Sequence, residues 1–249
     1  LVLKCMKEVV KNLKNLVFDE KKLQFFTYGD YISAIALTSK IRLLTSSQMR
    51  SFDILRVILF RIYQKFQRQK GLFLYKPNDK CLKKINKKLY EFTLYFMIFE
   101  NIFEFNIQKR IVEDLHALKA KFDLLKNTKA NYKEISKILN SVEIKNFLFN
   151  LEFVLKDDSD FFQGQKDTNL QELLNFIIKK ELISLRKSIL KSSNNFKEFD
   201  KINFIFKYFS KTYKNIDKID LLIKNEKMIL NQNEKSLKNI NKIIEKLDR

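Results

Sequence analysis

Tyr90-Glu91-Phe92-Thr93-Leu94-Tyr95-Phe96-Met97-Ile98-Phe99-Glu100-Asn101-Ile102-Phe103-Glu104-Phe105-Asn106-Ile107 is the stretch whose periodicity decides the fold of the first half of the chain. From Tyr90 onward, Phe92, Leu94, Phe96 and Ile98 alternate with Glu91, Thr93, Tyr95 and Met97. Beyond Glu100-Asn101, Phe103, Phe105 and Ile107 alternate with Ile102, Glu104 and Asn106. Successive side chains of a strand point to opposite faces, so this pattern predicts a β-hairpin with one face buried. Its aromatic density reads as core and not as a base-stacking platform, because no glycine-rich RNA-recognition signature accompanies it.

Upstream, Gly71-Leu72-Phe73-Leu74-Tyr75 is a short β-prone run closed by the turn signal Pro77-Asn78-Asp79. Before it, Thr45 and Gln48 form a capping-box pattern that opens a helix to about Phe66. Phe52, Leu55, Leu59, Ile62 and Phe66 fall within an arc of about 80° on that helix. Arg50, Arg61, Lys65 and Arg68 fall within about 60° on another side. Downstream, Val112, Leu115, Leu118, Phe122 and Leu125 form a helical stripe. Residues 1–126 are thus expected to be an α+β domain, helices packed on a small antiparallel sheet.

Residues 127–249 are expected to be an all-α extension, making the chain mostly helical overall. Thr168 to Gln171 is a second capping box, followed by Leu170, Leu173, Leu174, Ile177, Leu182, Leu185 and Ile189 at helical spacing. Ile223, Leu230, Leu237 and Ile244 recur every seven residues, with Ile240 and Leu247 beside them, as in a helix that pairs with another. The acidic stretch Asp157-Asp158-Ser159-Asp160 to Asp167 lacks the glycine and terminal glutamate of a calcium loop and reads as a solvated connection. Three Gly and one Pro in 249 residues leave little turn chemistry, which favours long helices, and 24 Phe supply a large core.

The net charge of +20 favours nucleic acid, an anionic membrane or an acidic protein as partner. More than half of it sits in residues 40–88, where fourteen basic residues face only Asp53 and Asp79. That segment carries five of the eight Arg, whose planar fork suits phosphate oxygens. The predicted contact set is Lys40, Arg42, Arg50, Arg56, Arg61, Lys65, Arg68, Lys70, Lys80, Lys83, Lys84, Lys87 and Lys88. Cys5 and Cys81 are too few and too far apart for a disulfide framework or a zinc motif. No run of about 18 apolar residues is present, so no membrane span is expected. The only His, His116, lies beside an apolar stripe with no marked nucleophile or acid partner. Neither a P-loop nor a dinucleotide fingerprint can be built from three glycines. A non-enzymatic protein without cofactor or metal is therefore expected.

Several pieces in order resemble the bacterial and mitochondrial ribosomal large-subunit protein sixteen family. Leu44-Thr45-Ser46-Ser47-Gln48-Met49-Arg50-Ser51-Phe52-Asp53 is similar to the motif that opens the family's Arg-rich helix. Phe26-Thr27-Tyr28-Gly29-Asp30-Tyr31, the Lys70 to Lys84 run with Pro77, Ile102-Phe103-Glu104-Phe105 and the helix around Glu113 to Phe122 resemble further elements. The resemblance covers roughly residues 24–126, and the family's Gly-Lys-rich loop is absent, with only Ile85-Asn86-Lys87-Lys88 in its place. It implies a structural constituent of the large subunit of an organellar ribosome, in the mitochondrial matrix. Ribosomal RNA would contact the Arg-rich helix and the Lys-rich turn, and neighbouring ribosomal proteins the C-terminal helices. Three rivals stand beside it: a scaffold subunit of a mitochondrial membrane complex, a helical polyphosphate-binding protein centred on Glu113-Asp114-Leu115-His116-Ala117-Leu118-Lys119, and a DNA-binding protein. The scaffold gains if residues 40–88 are helical throughout and face acidic protein or lipid.

Overall fold

The computed structural model describes residues 51–125, 131–156, 169–190, 197–209 and 234–247. Among these residues the protein is helical and contains no strand or sheet. The expected α+β first half is therefore corrected to an all-helical one. Contacts divide the chain into two compact units, one of residues 1–42 and 52–166 and the other of residues 43–51 and 167–249, so that the first residue of the opening helix, Ser51, counts with the second unit. The first carries α1 (Ser51–Tyr75), α2 (Asp79–Ile98), a 3-10 turn (Glu100–Ile102), α3 (Phe105–Leu125), α4 (Tyr132–Leu139) and α5 (Val142–Lys156). The second carries α6 (Leu170–Leu190), α7 (Lys197–Phe209) and α8 (Glu234–Leu247).

The hairpin fails because its two faces are not different. Phe92, Leu94, Phe96 and Ile98 are buried, but so are Glu91, Thr93 and Tyr95 of the opposite parity. A half-buried strand would leave those three in solvent, whereas the last turns of α2 are covered on nearly every side. Each polar member has a partner that a helix can supply. The Thr93 hydroxyl donates to the Leu89 carbonyl one turn back (3.1 Å), and Glu91 pairs with Lys88 three residues earlier. Tyr95 reaches α1, donating its hydroxyl to the Leu55 carbonyl at 2.9 Å. With these groups satisfied, burial of the whole segment leaves none of the three polar side chains without a partner.

The two other predicted strands fail for local reasons. Gly71 to Tyr75 continues α1, and Gly71 needs no special conformation there, since a Cβ would meet nothing within 4 Å. The turn signal at Pro77-Asn78-Asp79 is real but joins two helices: Asn78 is extended (φ −160°) and its side chain accepts from the Cys81 N–H at 2.9 Å, an N-cap for α2. Ile102 ends the 3-10 turn, Phe103 and Glu104 connect it to α3, and Phe105 opens that helix; the Glu104 carboxylate accepts from the Ile107 N–H (2.9 Å) in its first turn. That bond, with further ones from Asn106, holds the Glu104 carboxyl below its ordinary pKa.

Aromatic rings tie the first unit together. Phe92 of α2 meets Phe66 of α1 edge-on, with ring centroids at 6.0 Å, and Phe147 of α5 edge-on at 5.6 Å. Tyr95, Phe96, Phe99 and Phe103 form a second cluster with centroids 5.0 to 5.9 Å apart at the α2–α3 turn. Tyr132 of α4 sits on Phe73 at 5.6 Å and donates to Asp79 Oδ1 at 2.9 Å, closing the other end of the unit. Of the stripe expected on α3, Leu115, Leu118 and Phe122 are buried, Val112 and Leu125 are half-buried, and Ile111 joins the buried face.

In the second unit, every apolar residue expected on α6 from Leu170 to Ile189 is buried. The cap is Asn169, whose side chain accepts from the Gln171 N–H at 2.8 Å; the predicted Thr168 lies outside the described residues. Glu198 of α7 receives the hydroxyls of Ser184 (2.8 Å) and Ser188 (3.1 Å) of α6, and Lys201 pairs with Glu181 at 2.8 Å. Helix α8 also packs on α6, burying Ile240, Ile243 and Leu247. Of the predicted seven-residue row, Leu237 and Ile244 are only half-buried, while Ile223 and Leu230 lie outside the described residues.

Candidate nucleic-acid interface

Helix α2 begins with Lys80, Lys83, Lys84 and Lys87 on one face. At 100° per residue they span an arc of about 100°, and the buried Leu82, Ile85 and Leu89 centre on the opposite side. All four lysines are exposed, and no described carboxylate pairs with any of them. Asp79 is the only acid on the helix before Glu91, and it accepts from Tyr132. Lys76, part of the basic run but outside the predicted contact set, is exposed in the turn before the helix. The row is about 10 Å long, the rise of about three nucleotides along one strand of a duplex.

Two electrostatic effects oppose this arrangement in the free protein. Cations near a helix N-terminus face the positive end of the macrodipole. Lys80 with Lys83 and Lys84, and Lys87 with Lys83 and Lys84, are like-charge pairs at three or four residues, each destabilising by about 0.2–0.5 kcal/mol at low salt. A row of phosphates would reverse the sign of both effects.

The remaining predicted residues separate by position. Lys40, Arg42 and Arg50 lie outside the described residues. Arg68 is exposed, and Arg61 and Lys65 are half-buried. Arg56 is buried, 4% exposed: its guanidinium donates to the Leu155 carbonyl in the last turn of α5 and lies 5.2 Å from the Phe52 ring centroid. A cation there satisfies a carbonyl that the helix leaves open and complements the negative end of its dipole. Sequence reasoning missed this role, but its signal was present. Phe52, Phe60 and Tyr63 lie within about 40° of Arg56 on the helix, Ile54, Leu55, Val57, Ile58 and Leu59 occupy the rest of the circumference, and a helix apolar on nearly every side is buried.

Arg56 heads a polar seam between α1 and α5. Seven residues on, the Tyr63 hydroxyl donates to Glu152 and accepts from Gln67 Nε2 at 2.9 Å. Burial first, then the bond to Glu152, pushes the Tyr63 pKa up to about 12. Seven further, burial and then the charge of Lys145 lower the pKa of Lys70. Lys88 is held by the buried Glu91. Arg56 is therefore a packing element, Lys88 half of an internal ion pair, and Lys70 a half-buried cation beside the like charge of Lys145.

Among the described residues no group of His, Cys, Asp and Glu could hold a metal ion. His116 is exposed on α3, and Cys81 is a half-buried free thiol on α2. The acidic stretch 157–167 lies outside the described residues. No helix among them is long and apolar enough to cross a membrane. No protein-family model, characterised protein or solved structure matches the chain.

Proposed function

We propose that this protein is a structural, RNA-binding component of a larger assembly, and that it engages the phosphate backbone through the lysine row of α2. The observation that carries this reading is the set Lys80, Lys83, Lys84 and Lys87: exposed, without acidic partners, and placed against both the helix dipole and one another. Lys76 and Arg68 are the exposed cations of the preceding turn and of the end of α1. Such a row supplies affinity and salt dependence without base readout. The setting we favour is the large subunit of a mitochondrial ribosome, for which the support is the sequence resemblance of residues 24–126.

The test is sedimentation from a native lysate, followed by mass spectrometry of ultraviolet cross-links. Expected are co-migration with the large ribosomal subunit, lost on RNase treatment, and nucleotide adducts on peptides spanning Lys80 to Lys87. Adducts confined to other peptides would overturn the assignment of the row. Migration with a membrane complex, unaffected by RNase, would overturn the RNA reading in favour of the scaffold. The scaffold asks for a helical course throughout residues 40–88: residues 51–75 and 79–88 are helical, the turn at 76–78 interrupts them, and residues 40–50 lie outside the described residues.

A further inference from the structure

Resting on the RNA reading above, we propose that the strand held by the α2 lysines is single-stranded and that one of its bases stacks on Tyr75. Tyr75 is the last residue of α1 and is 89% exposed, and no described residue engages its ring or its hydroxyl. The turn that follows holds it close to the start of the lysine row. Asn78 Nδ2 donates to the Lys76 carbonyl and Asn78 Oδ1 accepts from the Cys81 N–H, both at 2.9 Å. One amide group thus joins the residue after Tyr75 to the first turn of α2, where Lys80 stands. Pro77, with its fixed φ, stiffens the same turn.

Residues three and four apart are neighbours on a helix surface, so Gly71 and Leu72 flank Tyr75. Gly71 is exposed within α1, where glycine is a poor helix former, and no packing accounts for it, since a Cβ would meet nothing within 4 Å. Its bareness leaves room for a flat group to approach the helix beside the ring, and Leu72, 45% exposed, gives that room an apolar edge. No acid occurs between Asp53 and Asp79, and Asp79 accepts from Tyr132, so a polyanion meets little like charge here. Lys76, exposed next in the chain, and Lys80 are the cations placed for the phosphates on either side of the stacked base. In a duplex the bases are already stacked on one another, whereas an unpaired base offers its face to an aromatic side chain. The lysine row alone would serve either form; the ring supplies the preference.

Because the chain has no Trp, Tyr75→Trp in the full-length protein places a single fluorescent reporter at the site. The probes are an oligouridylate of about 12 nucleotides, an RNA duplex of the same length, and inorganic polyphosphate, which carries the charge without bases. Quenching of the indole emission by oligouridylate is expected, with none by polyphosphate. Tyr75→Ala should bind oligouridylate roughly 5- to 150-fold more weakly, with an unchanged salt slope and unchanged duplex binding, while Tyr75→Phe keeps the wild-type affinity. Wild-type affinity of Tyr75→Ala for the single strand, with the slope intact, would overturn the stacking and leave the lysine row standing. Polyphosphate bound as tightly as oligouridylate, without quenching by either, would overturn it in favour of a partner that is anionic only. Failure to bind both RNAs would overturn the RNA reading itself, and the stacking with it.

Discussion

Replacing Lys80, Lys83, Lys84 and Lys87 with Gln should weaken RNA binding and stabilise the protein at the same time. The stabilisation follows from the four like-charge pairs on α2: at about 0.2–0.5 kcal/mol each at low ionic strength, their removal contributes roughly 1 kcal/mol. For a chain of this size that is a rise of about 3 °C in Tm. The binding loss follows from counterion release. Each phosphate neutralised contributes about 0.7 to the slope of log K against log salt for a single strand, so four lysines account for about 3. Over a fourfold increase in salt the wild-type protein should therefore lose about 60-fold more affinity than the variant. Fluorescence anisotropy with a labelled RNA oligonucleotide at several salt concentrations reads the slope, and thermal melting by circular dichroism reads the stability. An unchanged slope in a variant of native helicity would refute the assignment of the row. Reduced binding accompanied by a lower Tm would refute the claim that these lysines lie outside the packing.

Four other outcomes are expected. Arg56→Met should destabilise the first unit by about 2–3 kcal/mol through loss of the Leu155 carbonyl bond, while RNA affinity of the folded variant stays at the wild-type value; chemical denaturation alongside anisotropy separates the two. Tyr63 has its pKa raised to about 12, so its contribution is complete below pH 10 and lost as the pH rises toward 12, which Tyr63→Phe should abolish in alkaline melting curves. Glu143 has its carboxyl pulled down to about 2 by the Ser141 hydroxyl, its own backbone N–H and Lys121; its contribution is present above about pH 4.5 and fades as the pH falls toward 2, so Glu143→Gln should flatten acid unfolding in that window. Lys201→Met should destabilise the second unit by about 3–5 kcal/mol by stranding the buried Glu181 carboxylate, and Glu181→Met in the same chain should restore much of the loss.

Helical elements with one apolar stripe were legible, and elements buried on several sides were not. Leu170 to Ile189 and Leu115 to Phe122 carry unambiguous helical spacing, and both segments form the helices expected of them. Tyr90 to Ile98 carries apolar or aromatic residues at seven of nine positions, so period two and period 3.6 fit the same letters equally well. Length arbitrates in such a case, and it was available. Between Asp79 and Ile98 there is no Gly or Pro, and a continuous segment of 20 residues exceeds an ordinary strand. The Lys-rich start and the aromatic end of α2 read as two elements only if composition is allowed to mark a boundary that no turn residue supports.

The candidate site shows the same limit in its charges. A sequence counts cations, whereas a fold decides which of them remain available to a partner. The preference for Arg over Lys pointed toward Arg56, because a guanidinium fork suits phosphate oxygens. The same fork suits the open carbonyls at the end of a helix, and α5 ends beside Arg56 with the Leu155 carbonyl directed at it. Lysine, more strongly hydrated, makes a poorer buried cap and is left on the outside when a helix has one polar face. The run at 80, 83, 84 and 87 keeps such a face because Leu82, Ile85 and Leu89 confine the core to the other side, whereas α1 between Ile54 and Leu59 has no polar side to offer. Amphipathicity, evaluated around the whole helix and not along one stripe, is thus the quantity that separates a cation fixed in the core from one that can meet a phosphate.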